Sequence, residues 1–556
     1  MPDISLPTDP ASVGISPERL HEAVAALCAL GRKLPGSAAE RAACDIIARR
    51  LAACGVAHEV HEFEAFIGWP VRSELVLGER RLAAAGVAFA AGTPEDGLVA
   101  PLAAPGSDPR GRILLSEGLP RYDALRAAER AGALGLVAIS GGEQRHYVQA
   151  TPIWGAPTGP GDLALLPGIP AAQVSRADGA ALRALAEAGG TVRLIAEARR
   201  AWVTARMPVA EIPGREDFFV LLGAHYCTWQ DGATDNLAGV ALLLELARLY
   251  AEARPRYGLR IAFWTGHEQG AYAGSSWYAD RFWNALHDRA IAYLNVDIVG
   301  VRGGTTKALR NTTGELARYA EAVLAATAGT LPAAERDFVA RALRRQDRDV
   351  DPRRSARNSD QSFCGIGLSG AQVSSFLPAA SSEHLPESGL AWWWQTDQDT
   401  LERCDAAVLA EDTLIYRNLV EGLVNAPALP FDFATTAEDM LASLAEYRDA
   451  APDVGELAAL AALAERLRAA AGTARLSDAG KLRVARQLNP VLYHARSAFE
   501  YDPGRASRLL PGLAPALALA GMPADEARMA RVALRRQANR VEHALRRALE
   551  LMDAAR

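Results

Sequence analysis

The feature that most constrains this chain is the alternation, from about Trp202 to Asn425, of continuous apolar runs with amphipathic ones. "FFVLLGAHY", "LRIAFWTG" and "AIAYLNVDIVG" have the length and composition of buried strands, and "NLAGVALLLELARLYAE" carries the apolar period of a helix. Strands without polar alternation, separated by helices, bury both faces, so the segment predicts a parallel or mixed sheet sandwiched by helices. In such sheets ligands bind beyond the carboxyl ends of the strands. Here "LLGAHYC" delivers His225, and "QDGATDNLAG" places Asp235 at the start of the next helix. "AFWTGHE" ends in His267 and Glu268, and "YLNVDIVG" in Asp297. One such residue reads as a satisfied polar strand end, and an Asp before a helix reads as an N-cap. In succession, imidazole plus carboxylates form the zinc-type ligand set, in which a shared carboxylate can bridge two ions.

Bulk properties exclude several classes. The 556 residues allow two to four domains and a large core. A net charge of −6 with a pI near 6.0 leaves no electrostatic footprint for nucleic acid. No apolar run reaches the roughly 20 residues needed to span a bilayer. The opening "MPDISLPTDPASVG" has neither the basic n-region nor the apolar h-region of a signal peptide. Cysteines 28, 44, 54, 227, 364 and 404 show no CxxC spacing and read as reduced, mostly buried thiols. The expectation is a cytoplasmic protein that engages neither membrane nor nucleic acid. No GxSxG or Walker-type GK[ST] occurs, so serine-hydrolase and ATPase readings fall away.

The chain divides by texture. Arg19 to Gly55 reads as helical, with Ser37 and Glu40 spaced as a capping box ahead of Ala43, Ile46, Ile47 and Leu51 on one face. From 67 to 200, short strands and helices punctuated by Pro and Gly predict a small α/β insert. From 431 to 556, "VGELAALAALAERLRAAAG" and "DEARMARVALRRQANRVEHALRRALELM" predict a helical unit. The expected domains are therefore 1–66 with 201–430, then 67–200, then 431–556.

With these motifs in order, the chain resembles the di-zinc aminopeptidases and glutamate carboxypeptidases, metallopeptidases with a phosphorylase/hydrolase-like α/β fold. "GSAAERAACDIIARRLAACG" resembles the family's N-terminal helix, and "GAHYCTWQDGATDNLAGVALLLELAR" its first metal motif. "FWTGHEQGAYAGSSWYAD" resembles the glutamate-pair motif, and "NSDQSFCGIGLSG" and "WWWQTDQDTLERCD" the closing segments. The insert, with "AERAGALGLVAIS", looks like a protease-associated domain. "QLNPVLYHARSAFEYDPG" is similar to the dimerisation domain of the glutamate carboxypeptidase and transferrin-receptor branch.

The resemblance implies roles by motif position. His225, Asp235 and Asp297 would hold a first metal, with Asp235 bridging to a second held by Glu268. The family's catalytic Glu is replaced by His267, and the last His ligand by Gln395, a neutral and weaker ligand for zinc. Cys227 stands where a supporting Asp is usual. The implied function is metal-dependent hydrolysis of a peptide or other amide bond, with one or two zinc ions or another divalent metal such as manganese. The substrate would be a peptide or small amide, and the assembly a homodimer through the C-terminal helical domain. The alternative is a catalytically silent homodimeric binding or scaffold protein, since the transferrin receptor keeps the fold without the activity.

Three readings of His267 stand: a replacement general base, a metal ligand that offsets the change at Gln395, or a remnant of a silent site. Adjacent residues at a strand end point different ways, so the second reading requires irregular backbone. Trp392, Trp393 and Trp394 beside the last metal loop are core residues or pocket walls, with Trp393 and Trp394 the substrate-side candidates. His384 in "SSEHLPESG" is a solvated loop residue, a pocket residue or a spare ligand. Arg145-His146-Tyr147 in the insert reads as a surface loop or a reach into the pocket. The Arg-rich run "RALRRQDRDVDPRRSARNSDQ" reads mostly as a solvated face, with one arginine a candidate for a substrate carboxylate.

Overall fold

The strand Glu216–His225 explains the architecture. Along it Phe219 and Leu221 enter one apolar core, while Val220, Leu222 and Ala224 enter another on the opposite face. That two-residue alternation, apolar on both sides, is what a strand buried between two layers requires. The structure is a computed structural model that describes residues 6–346, 358–504 and 508–555. In it this strand runs parallel to Tyr257–Trp264 on one side and to Ala290–Asn295 on the other. Ser369–Phe376 continues the parallel set, and Thr306–Arg310 closes that edge antiparallel. Thr191–Ile212 joins antiparallel to Tyr257–Trp264, so the sheet is mixed. Helices Pro17–Cys28, Ala38–Ala53, Ala238–Tyr250 and Ala406–Val424 pack on one face, and Ala273–Arg281 and Trp283–Arg289 on the other.

The helical reading of Arg19 to Gly55 divides into Pro17–Cys28 and Ala38–Ala53, separated by a turn that carries the fully buried Lys33. The capping box is half made. Ser37 Oγ accepts the Glu40 amide at 3.1 Å. The Glu40 carboxylate instead turns inward, accepting the Tyr226 hydroxyl at 2.8 Å and the Arg206 amide at 3.1 Å. A buried carboxylate meets two donors there and none as good at its own N-cap, so tertiary pairing overrides the local motif.

The insert is reached by a long two-stranded ribbon. Ala57–Leu77 pairs antiparallel with Thr191–Ile212, from Ala57 opposite Glu211 to Val76 opposite Arg193. The expected boundaries at 66/67 and 200/201 fall inside these continuous strands, because the ribbon belongs to both units. The helices Phe433–Ala450, Gly455–Ala471, Asp478–Leu492 and Ala524–Asp553 share a separate apolar core, which includes Leu457, Leu460, Leu463 and Leu467. Arg486 ties this unit to the sheet domain. Its buried guanidinium donates to the carbonyls of His287 and Gly367 at 2.8 Å each, and also to those of Leu286 and Ala290. Among the described residues no helix is long and apolar enough to cross a membrane.

Candidate metal centre

The parallel strands end at one level, His225 opposite Trp264 and Gly223 opposite Asn295, which brings the residues just beyond them together. His225, His267 and Asp297 form one group of ligand-type atoms lying within 4.8 Å of one another, and His225, Asp235 and Glu268 form a second. All five residues are buried. The loops that carry them are irregular, as the sequence required for His267 to turn inward. Gly266 has φ +65°, and the non-glycine residues Ala271, Tyr272, Ile298 and Gln395 also sit at positive φ. Left-handed conformations at non-glycine residues are costly and gather at functional sites.

His225 shows what the cluster lacks. Its Nδ1 faces the Cys227 carbonyl at 3.0 Å, a partner that can only accept, so Nδ1 carries a proton and Nε2 is the atom that a metal would take. That Nε2 lies 3.0 Å from Asp235 Oδ1 and 3.7 Å from Asp297 Oδ1. Neither His225 Nε2 nor Asp297 Oδ1 has a hydrogen-bond partner, although both are buried. Lone pairs converging in a buried pocket repel unless a cation lies between them. Ligand atoms around a tetrahedral zinc stand about 3.3 Å apart, given bonds of about 2.0–2.1 Å, and the two separations bracket that value. The residues present therefore fit a bound divalent metal.

The electrostatics agree. Burial penalises the His225 imidazolium, yet Asp235 and Asp297 outweigh it and hold its pKa well above the ordinary value, so without a metal a proton on Nε2 takes the place a cation would fill. Burial, then the charge of Asp235, pushes Glu268 up to about 8. Asp297 is drawn down to about 2 because contact with His225 overcomes its burial. His267 is held well below the ordinary imidazole value, by burial first and then by His225, so it is a neutral ring. Crowded carboxylates with opposed shifts are the signature of an arrangement built around a positive charge.

A supporting layer fixes these side chains. Asp399 accepts the Thr234 hydroxyl at 2.7 Å and the Asp235 amide at 3.0 Å, which locks the loop that presents Asp235. Burial pushes Asp399 up to about 7. Asn358 donates to Asp297 Oδ2. The Trp229 indole donates to Glu268 at 2.8 Å, and the Gln395 amide nitrogen lies 3.0 Å from both Glu268 oxygens. Trp394 works against burial on Asp235, favouring its ionised form, so its indole borders that carboxylate. Sequence reading missed Asp399, Asn358 and Trp229 as site residues. Each lies inside a motif already singled out, but only the fold shows which polar groups face the ligands.

The remaining candidates separate. Gln395 reaches the centre, but its contact is donation to Glu268. Trp393 is wholly buried beside Val301, Phe376 and Leu390, so the expectation that it touches substrate is corrected: it is a core residue. Trp394 remains at the site. His384 turns both ring nitrogens to backbone carbonyls, of Gly389 at 3.1 Å and Pro378 at 2.9 Å, and packs on Phe338. It staples a loop and does not join the ligand cluster. His146 and Tyr147 of the insert do reach the site's margin: His146 bonds the Trp394 carbonyl, and Tyr147 stacks on Trp229. Residues 347–357, which hold much of the Arg-rich run, lie outside the described residues.

A mixed sheet sandwiched by helices, with buried imidazoles and carboxylates gathered beyond its strand ends, has the build of an α/β protein with a metal-type centre. Residues 208–420 match the model of peptidase family M28, and that segment is what the chain shares with the family. A 109-residue stretch is 38% identical to Probable glutamate carboxypeptidase VP8 of Zea mays, covering 18% of this chain and 15% of that one. Another of 98 residues is 35% identical to Aminopeptidase NAALADL1 of Mus musculus, covering 16% and 13%. A third of 116 residues is 29% identical to Transferrin receptor protein 2 of Homo sapiens, covering 20% and 14%. The chain thus matches about one seventh of the length of these relatives. Among solved structures, the zinc aminopeptidase BSAP from Bacillus subtilis shares the fold with a TM-score of 0.55 and 21% identity, over 77% of this chain and 98% of that one. The aminopeptidase from Aneurinibacillus sp. strain AM-1 aligns with a TM-score of 0.53 and 19% identity, over 74% and 94%.

Proposed function

We propose that this chain is a metal-dependent hydrolase of peptide or other amide bonds, with zinc or a similar divalent ion, such as manganese, held in the centre built by His225, Asp235 and Asp297, with Glu268 alongside. The observation that carries the reading is the buried His225 Nε2, without a hydrogen-bond partner yet facing two carboxylates at 3.0 and 3.7 Å. A bound ion supplies Lewis acidity toward the amide carbonyl and the attacking water. The chain's own residues do the rest. Asp399 and Asn358 orient the carboxylates, Cys227 fixes the His225 tautomer, and the aromatic walls of Trp229, Tyr272 and Trp394 keep bulk water out. The test is a screen of aminoacyl and acyl-amino-acid amides, with and without chelator. Turnover that chelator abolishes supports the reading, and turnover that ignores chelator defeats it.

A second reading, a silent binding or scaffold protein on the same fold, is favoured by the absence of a carboxylate at His267 and by Gln395 acting as a donor. It expects no turnover on any amide together with an intact fold. Under either reading we assign the C-terminal helical unit to homodimerisation. Exposed Met529 and Val532 on its last helix support this. Sedimentation should give twice the chain mass, and a monomer at micromolar concentration rejects it.

A further inference from the structure

How many ions the centre holds is a question that rests on reading it as a metal site. The pattern implied by the family resemblance needs two separate ligand sets, the second built on Glu268 and an imidazole at position 395. The structure departs from it at both. Position 395 carries an amide whose nitrogen is 3.0 Å from each Glu268 oxygen, and the Trp229 indole adds a second donor at 2.8 Å. These N–H groups take up lone pairs on both Glu268 oxygens, and their positive ends repel a cation there.

His267 instead lies against His225. Its ring stacks on His225 at 4.0 Å with an interplanar angle of 18°, and it is grouped with His225 and Asp297. Nδ1 is 3.1 Å from Ser359 Oγ, and the edge of Tyr272 packs on the ring at 4.4 Å. Tyr272 is backed in turn by Trp154 of the insert, stacked at 3.9 Å. The imidazole is thus held in one orientation beside His225.

The two ligand groups also share His225. Its Nδ1 is committed to the Cys227 carbonyl, so one lone pair, on Nε2, serves both. One lone pair coordinates one ion. We infer that the centre is mononuclear, with His267 a metal ligand beside His225 and Asp297, and with Trp229 and Gln395 closing the position where a second ion would bind. Two imidazoles and the Asp297 carboxylate, with Asp235 3.0 Å from His225 Nε2 beside them, make up a zinc-type ligand set.

The experiment is metal analysis of the purified full chain after dialysis against zinc, paired with the visible spectrum of the cobalt-substituted protein. The expected result is one zinc per chain, and a cobalt spectrum that changes in His267→Gln. Zinc affinity in His267→Gln should fall at least 100-fold, with circular dichroism and melting confirming the fold. The double variant His267→Glu with Gln395→His should bind two zinc ions per chain. Two ions in the unaltered chain overturn the inference while leaving the hydrolase reading standing. Unchanged zinc affinity and cobalt spectrum in folded His267→Gln also overturn it. No ion at all overturns both, and the stoichiometry of the unaltered chain needs no variant to be informative.

Discussion

At Asp235, function and stability pull in opposite directions. Its carboxylate lies buried with those of Asp297 and Glu268, and burial together with the charge of Asp297 raises its pKa. Without a cation these groups repel. Asp235→Asn should therefore stabilise the metal-free protein by on the order of 1 kcal/mol while weakening zinc binding at least 100-fold. Urea melts in chelator and a zinc titration check the two halves. His146 carries a separate residue-scale signal. Burial lowers its pKa to about 4, although its bond to the Trp394 carbonyl works the other way. An unfolded histidine titrates near 6.5, so between about 6.5 and 4 the unfolded chain binds a proton that the folded chain refuses. Stability should fall as pH drops through that window, by a few kcal/mol in all, and the slope should flatten in His146→Gln. Urea midpoints at pH 7.5 and 4.5 for both proteins provide the comparison.

At the scale of elements, helix Ala38–Ala53 separates a local effect from a tertiary one. Ser37→Ala removes the N-cap and should cost about 1 kcal/mol. Glu40→Ala strands the Tyr226 hydroxyl and the Arg206 amide in the core and should cost more, about 2–3 kcal/mol. Equal losses in thermal denaturation would mean that Glu40 serves only its own helix. The same contrast marks what the sequence made legible. Strand ends, helix faces and the ligand positions at 225, 235, 268 and 297 follow from local period and motif. The inward turn of Glu40, the donor role of Gln395 and the loss of Trp393 to the core depend on residues distant in the chain. So does the placing of His267: the break at Gly266 is visible in the sequence, but the ring's position against His225 is set by Ser359, Tyr272 and Trp154.

Across the whole molecule, units joined by few connections are fixed by a small number of buried polar contacts. Arg486 satisfies carbonyls from the sheet domain with a guanidinium that burial draws down to about 10. Arg486→Leu leaves those carbonyls unpaired and should destabilise the chain by about 3 kcal/mol, read as a lower denaturant midpoint. The insert reaches the site's margin through Trp154, His146 and Tyr147, so sheet domain and insert together shape the centre. The domain order was legible from changes in texture, but the ribbon spanning its first boundary was not, because Ala57–Leu77 and Thr191–Ile212 find each other only across the whole insert. The central claim is that the carboxylates and imidazoles beyond the strand ends exist to hold a metal. Calorimetric titration of zinc into the metal-stripped full chain tests it most directly. The account predicts saturable uptake that disappears in His225→Ala. A stripped chain that takes up no zinc, or a His225→Ala protein that binds as the parent does, contradicts it.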